Sequence, residues 1–148
     1  VNDKLPPLAD EAIELQVRVA DWRDAVRVVG AGLARSGAAR PGYADEMIRM
    51  IEEHGPYIVI APGLALAHAR PGPEVLADGI AVATLERGVD FGHPHNDPVF
   101  VVIGLASTDP LAHVASIAAV ANVFNDSSAI EELVLADSAE DVHRVFDR

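Results

Sequence analysis

From Ile13 to Val19 the chain reads I-E-L-Q-V-R-V, apolar and polar residues alternating with period two, the pattern of a strand buried on one face. The period changes at Asp21. Trp22, Ala25, Val26, Val29 and Leu33 then recur at helical spacing, with Asp21 placed to cap the helix and Gly37 to close it. A second helix is predicted over Tyr43 to His54, with Met47, Ile48 and Ile51 on one face, acids on the other, and Gly55-Pro56 as its stop. Val1 to Asp10, proline-rich and polar, reads as a lead-in.

Two short apolar segments follow, Tyr57 to Ala61 and Leu64 to Ala67, separated by Pro62 and Gly63; without alternation they read as strands covered on both faces. Further strands are predicted at Gly79 to Leu85 and Val99 to Ala106. Thr108 or Asp109 can cap the next helix and Pro110 fits its first turn. Leu111 to Phe124 carries almost no charge, which predicts a largely buried helix. Two shorter amphipathic helices are expected over Ser127 to Leu135 and Ser138 to Phe146, the first with a capping box formed by Ser128 and Glu131. Strands alternating with helices of this length argue for α/β layers, with helices packed on a mixed sheet. No internal repeat, low-complexity tract or linker interrupts residues 1 to 148, which predicts a single domain.

Composition narrows the function. A formal charge of −12, with 11 Lys and Arg in all, disfavours phosphate backbones and anionic lipid, so no nucleic-acid partner is expected. The chain has no cysteine, which excludes a disulfide framework, a thiol nucleophile and a thiolate metal site within it. The uncharged run from Gly55 to Ala69 is interrupted by Pro62 and Gly63 and is too short for a membrane span of about 20 residues. The N-terminus lacks the apolar core of a signal peptide, so the expected location is cytoplasmic.

Six histidines remain as candidate chemistry. His54 ends a helix, where an imidazolium interacts favourably with the helix dipole. His143 lies among Glu140, Asp141 and Arg144 and reads as surface. His93 and His95 flank Pro94 and neighbour Asp90 and Asp97; they suggest a metal-dependent hydrolase, but the intervening turn and the lack of an identifiable third ligand favour a solvated loop. His68 and His113 differ, because each adjoins a strongly apolar element where an unpaired ring is costly. The ordinary reading of either is a core histidine bonded to a carbonyl. The other reading is a phosphoryl group on His68 lying against the first turn of the helix carrying His113, where backbone N–H groups and the dipole favour an anion. His113 and Arg70 would then donate to its oxygens. Arg70 can equally form a surface pair with Glu74 or Asp78.

The run G-P-Y-I-V-I-A-P-G-L-A-L-A-H-A-R-P, then D-G-I-A-V-A-T-L, V-D-F-G, N-D-P-V and the helix containing D-P-L-A-H, resembles the mannitol/fructose-type IIA domain of the bacterial phosphoenolpyruvate-dependent sugar phosphotransferase system. The G-P-Y-I-V-I and H-A-R-P segments are most similar to its ascorbate branch. The resemblance spans essentially the whole chain and implies a three-layer α/β sandwich, a mixed sheet of about five strands between helices. It implies a cytoplasmic phosphoryl carrier without a cofactor, taking phosphate from phospho-HPr and passing it to a IIB component, with a membrane IIC protein engaged indirectly. The phosphoacceptor falls on His68, as a tele-phosphohistidine, and the stabilising histidine on His113. Two positions depart from the family: Ala67 stands where proline usually precedes the acceptor, and Glu52 stands where the mannitol branch has an arginine, a role that Arg70 is expected to take. A regulatory module reporting nutrient state through His68 is the alternative within the same fold. The N-terminal strand and apolar helix faces leave room for a homodimer.

Overall fold

A computed structural model describes residues 5–126 and 128–147. Five strands form one mixed sheet in the order β1-β4-β5-β3-β2: β1 is Leu8–Val17, β2 Val59–Ala61, β3 Leu64–His68, β4 Gly79–Val89 and β5 Val99–Ala106. β3 runs parallel to β5, β4 antiparallel to β5, and β1 parallel to β4, while β2 and β3 pair as an antiparallel hairpin. The α/β sandwich expected above is the observed architecture. Helices α1 (Trp22–Arg35) and α2 (Tyr43–His54) bury Val26, Val29, Leu33, Met47 and Ile51 on one face. The other face takes Val120 of α3 (Pro110–Val123), Leu133 of α4 (Ala129–Leu135), and Val142 and Phe146 of α5 (Ala139–Phe146).

Local chemistry explains the helix ends. The Asp21 carboxylate accepts from Asp24 N, Asp109 from Ala112 N, and Ser138 Oγ from Asp141 N, each a side-chain cap on an otherwise unpaired donor. Gly37 and Gly55 adopt φ of 83° and 84° just beyond α1 and α2, a left-handed geometry that stops a helix without a Cβ clash. Gly104 in β5 has another reason: a Cβ there would lie 2.9 Å from Val29 Cβ, so α1 can sit directly on the sheet.

Four expectations change. β1 begins at Leu8, inside the expected lead-in, because Leu8 pairs with Ile80 and Ile80 N donates to the Pro7 carbonyl at 3.0 Å. β1 is also an edge strand, where the polar Asp10 and Glu11 stay exposed. β2 is the other edge, and Ile60 is exposed rather than covered. α3 is not largely buried: only Ser116, Ala119 and Val120 are, while Leu111 is 82% and Val114 67% exposed. Its residues are apolar all round, so the sequence offers no direction for a buried face, and one narrow stripe meets the sheet. The Ser128 capping box is absent: Ser128 precedes α4 with helical φ and ψ, makes no side-chain cap bond, and its hydroxyl donates to Asp126 Oδ1 at 2.7 Å. The expected start at Ser127 lies outside the described residues.

Candidate functional site

The strand directions assemble the site. β3 and β5 are parallel, so both end at the same edge of the sheet, His68 paired in register with Leu105. The ladder is unbroken through Ala67, opposite Gly104, and carries His68 to its last position. Beyond β5 the chain turns through Ser107, Thr108 and Asp109 into α3, and the Asp78 carboxylate secures that turn by accepting from Thr108 N at 2.8 Å and from its hydroxyl at 3.1 Å. The first turn of α3 thereby sets His113 beside His68, with ring centroids 5.2 Å apart and planes at 60°. The two histidines singled out from the sequence are brought together.

His68 Nδ1 lies 2.9 Å from the carbonyl oxygen of Leu66. A carbonyl can only accept, so Nδ1 carries the proton and the neutral ring keeps its lone pair on Nε2. The feature expected of a plain core histidine, a bond to a carbonyl, thus leaves the other nitrogen available. Burial pushes the His68 pKa below the ordinary histidine value; the Leu66 bond opposes that shift, and His113 adds to it. His113 is also shifted down, by burial, and its Nδ1 is buried without a hydrogen-bond partner among the described residues. Two neutral imidazoles therefore face each other at neutral pH.

The rest of the surroundings qualifies the anion-site reading. Asp109 already takes the Ala112 N–H of the first turn, and Asp78 adjoins it, so two carboxylates flank the helix start. Positive potential from the dipole is offset there, which leaves side-chain donors as the principal ligands for an anion. Arg70 follows His68 by two residues and lines a groove of about 380 Å3 with Glu46, Arg49, Met50 and Glu53. Among the described residues it forms no ion pair with Glu74 or Asp78. Glu52, at the position of the mannitol-branch arginine, instead accepts from Arg23 of α1 at 2.8 Å.

The remaining histidines have local duties. His93 Nδ1 accepts from His95 N and Asn96 N at 3.1 and 3.0 Å, so this nitrogen organises a turn. Asp97 accepts from three backbone donors, Phe91, Gly92 and His93. The H-x-H cluster lies beside the start of β5, at the opposite end of the sheet from His68. His143 is not simply surface; it pairs with Asp10 of β1 at 2.6 Å. His54 ends α2 and meets the edge of the Tyr57 ring at 6.3 Å.

Two tyrosines escaped the sequence reading. Tyr57 sets its ring edge-on to His68 at 5.9 Å and is 44% exposed. Tyr43 is fully buried, its hydroxyl accepting from Ala69 N at 3.0 Å and donating to the Leu105 carbonyl at 2.7 Å. A tyrosine on the apolar face of α2 was the available signal, since a buried phenol needs a hydrogen-bond partner.

The α/β sandwich thus presents an imidazole anchored through Nδ1 at a strand end, with a second imidazole against it. Residues 7–148 match the family model described as phosphoenolpyruvate-dependent sugar phosphotransferase system, EIIA 2. The ascorbate-specific PTS system EIIA component of Shigella boydii serotype 4 (strain Sb227) is 34% identical over 140 residues, 94% of this chain and 91% of the relative. A PTS IIA (PtxA) structure from Streptococcus mutans superposes with TM-score 0.84 at 32% identity, covering 93% and 88% of the two chains. Enzyme IIA-mannitol of Escherichia coli, solved in complex with phosphorylated enzyme IIB-mannitol, superposes at 0.83 with 25% identity over 95% of this chain and 97% of that one. The chain belongs to the EIIA type 2 family, phosphotransferase components that carry phosphate on histidine within a sugar phosphotransferase system. No helix among the described residues is long and apolar enough to cross a membrane.

Proposed function

We propose that residues 1–148 act as a single cytoplasmic IIA domain in which His68 is the phosphoacceptor, taking phosphate from HPr and giving it to a IIB component of an ascorbate-type uptake system. The observation that carries the site assignment is the Nδ1 bond to Leu66, which directs the nucleophilic lone pair to Nε2. The Nε2 lone pair attacks phosphorus, a new P–N bond forms, and the donor's P–N bond breaks with its electron pair returning to the donor imidazole. His68 keeps its Nδ1–H, and the positive charge gained by the ring is met by the Leu66 carbonyl. Onward transfer reverses these roles, the nucleophile of IIB attacking phosphorus as the P–N bond breaks and its electron pair returns to Nε2.

Little covalent work is asked of other residues; transfer depends on in-line approach and on donors for the three phosphoryl oxygens. His113 supplies one ring N–H from 5.2 Å between centroids. Arg70, charged and exposed at the strand exit, supplies longer-range attraction. The surface suits relay to successive partners: Tyr57 lies edge-on to His68, and the apolar side chains of Leu111 and Val114 are exposed on the helix that carries His113. The 34% identity to an ascorbate-specific component supports that substrate system. The assignment is tested by incubating the protein with phosphoenolpyruvate, enzyme I and HPr and measuring acid-labile phosphate. His68→Ala is expected to abolish labelling; labelling equal to wild type would overturn the assignment.

A further inference from the structure

Leu66 N donates to the Ile58 carbonyl at 2.8 Å, so Leu66 turns its backbone to β2 and, by strand alternation, Ala65, Ala67 and Ala69 turn theirs to β5. The next rung of that series would join Ala69 N to the Leu105 carbonyl; the Tyr43 hydroxyl stands in its place, accepting from Ala69 N at 3.0 Å and donating to the Leu105 carbonyl at 2.7 Å. The Ala69 carbonyl lies farther from the hydroxyl, at 3.3 Å, so the single phenolic proton goes to Leu105. Leu105 is the residue in register with His68, and Ala69 is its covalent neighbour. One oxygen atom thus ties the residue that follows the histidine to the residue paired with it on β5.

We propose that Tyr43 is a positioning residue for phosphoryl transfer, its hydroxyl fixing the end of the β3–β5 ladder so that the His68 ring keeps its bond to Leu66 and its Nε2 faces the phosphoryl group. The proposal rests on the reading of His68 as acceptor. The side chains of Ala65, Ala67 and Ala69 join Tyr43 on the face of α1 and α2, whereas Leu64 and Leu66 point to the other face, on which His68 therefore stands. Tyr43 holds the backbone from one side of the sheet while the imidazole works on the other. It needs no contact with the substrate. Backbone that frays beyond β3 would let the ring rotate about its first torsion and break the Nδ1 bond. Tyr43 lies within the apolar core and does not titrate in the neutral range, its pKa pushed up to about 12 by burial, so the clamp is constant across working pH.

The experiment is Tyr43→Phe, read in two ways. In the unphosphorylated protein, imidazole nitrogen NMR is expected to show wild-type His68 as the Nδ1–H tautomer and the variant as a mixture. In the phosphotransfer assay, kcat is expected to fall about tenfold with KM for phospho-HPr unchanged. Met47→Ala on the same buried helix face is the control for lost stability; it should keep the His68 tautomer and wild-type kcat. If Tyr43→Phe does not fold, 3-fluorotyrosine at position 43 in a Tyr57→Phe background retains the hydroxyl and alters its bond strengths, and a shifted His68 nitrogen signal relative to Tyr57→Phe alone is expected. A wild-type tautomer in Tyr43→Phe, an unshifted His68 nitrogen signal in the 3-fluorotyrosine protein where that is the one that folds, or an equal change in Met47→Ala, overturns the proposal. Because the tautomer is read without phosphate, failure of His68 as acceptor would show separately, as labelling of His68→Ala.

Discussion

The Nδ1 of His68 donates to the carbonyl of Leu66, two residues earlier on the same strand, at 2.9 Å. A strand end normally leaves its side chain free to turn. Here the backbone just before the ring fixes its tautomer and aims the other nitrogen outward, so a bond that looks merely structural determines which atom can react.

Neutral His68 should accept phosphate over a wider pH range than free imidazole. Its pKa lies below the ordinary value near 6.5, chiefly through burial, so the acceptance rate should stay level as pH falls through 6.5 and drop only below the lowered pKa. The same shift has a stability sign. The unfolded chain binds this proton first, so the stabilising contribution is complete above about pH 6.5 and is lost as pH falls through the folded-state value. Proton NMR titration of the ring, alongside urea melts at pH 5.5 and 7.5, checks both; a midpoint at or above 6.5 would contradict them.

His113→Ala should leave His68 able to accept phosphate yet slow its transfer to IIB by about a hundredfold, the usual effect of losing one preorganised donor to transferring oxygens. His113→Gln, which keeps an N–H, should recover part of that loss. Single-turnover transfer from the phosphorylated protein is the measurement, and wild-type kinetics in both variants would return His113 to a packing role.

Leu111 and Val114, on the helix that carries His113, are 82% and 67% exposed, so replacing either by aspartate disturbs no core. Leu111→Asp should shift the melting temperature little and raise the KM for the partner at least tenfold. Equal KM values in wild type and variant would place the partner surface elsewhere.

At the far end of the sheet, Asp97→Ala should cost about 2 kcal/mol, because three backbone N–H groups at 2.8 to 3.1 Å lose their acceptor and part of the loop stays wet. Phosphate acceptance should be unchanged in the folded variant. A loss of acceptance without a loss of stability would assign the His93 loop a role in the chemistry.

These outcomes trace what the residues disclose by themselves. Periodicity and punctuation located α1, α2, β5 and α5 closely, because Asp21, Gly55 and Ser138 signal through local bonds that need no tertiary context. The burial of α3 is not legible, since an almost uncharged helix carries no directional pattern and only the sheet decides which stripe it covers. In the sequence Asp97 reads as a metal neighbour, because acceptors for backbone N–H groups leave no trace in spacing. The Tyr43 hydroxyl was equally hidden: its partners are 26 and 62 residues away. Ala67, where the resemblance leads one to expect proline, shows the converse. The strand ladder opposite Gly104 and Leu105 holds the lead into His68, a restraint made by a neighbouring strand rather than by residue 67.

The central claim is that Nε2 of His68 carries the phosphoryl group, and the most direct measurement is nitrogen-15 and phosphorus-31 NMR of the phosphorylated, histidine-labelled protein. The account predicts phosphorus coupling to Nε2 of His68, with Nδ1 still protonated and hydrogen-bonded. Coupling to Nδ1 of His68, or to a nitrogen of His113, would contradict it.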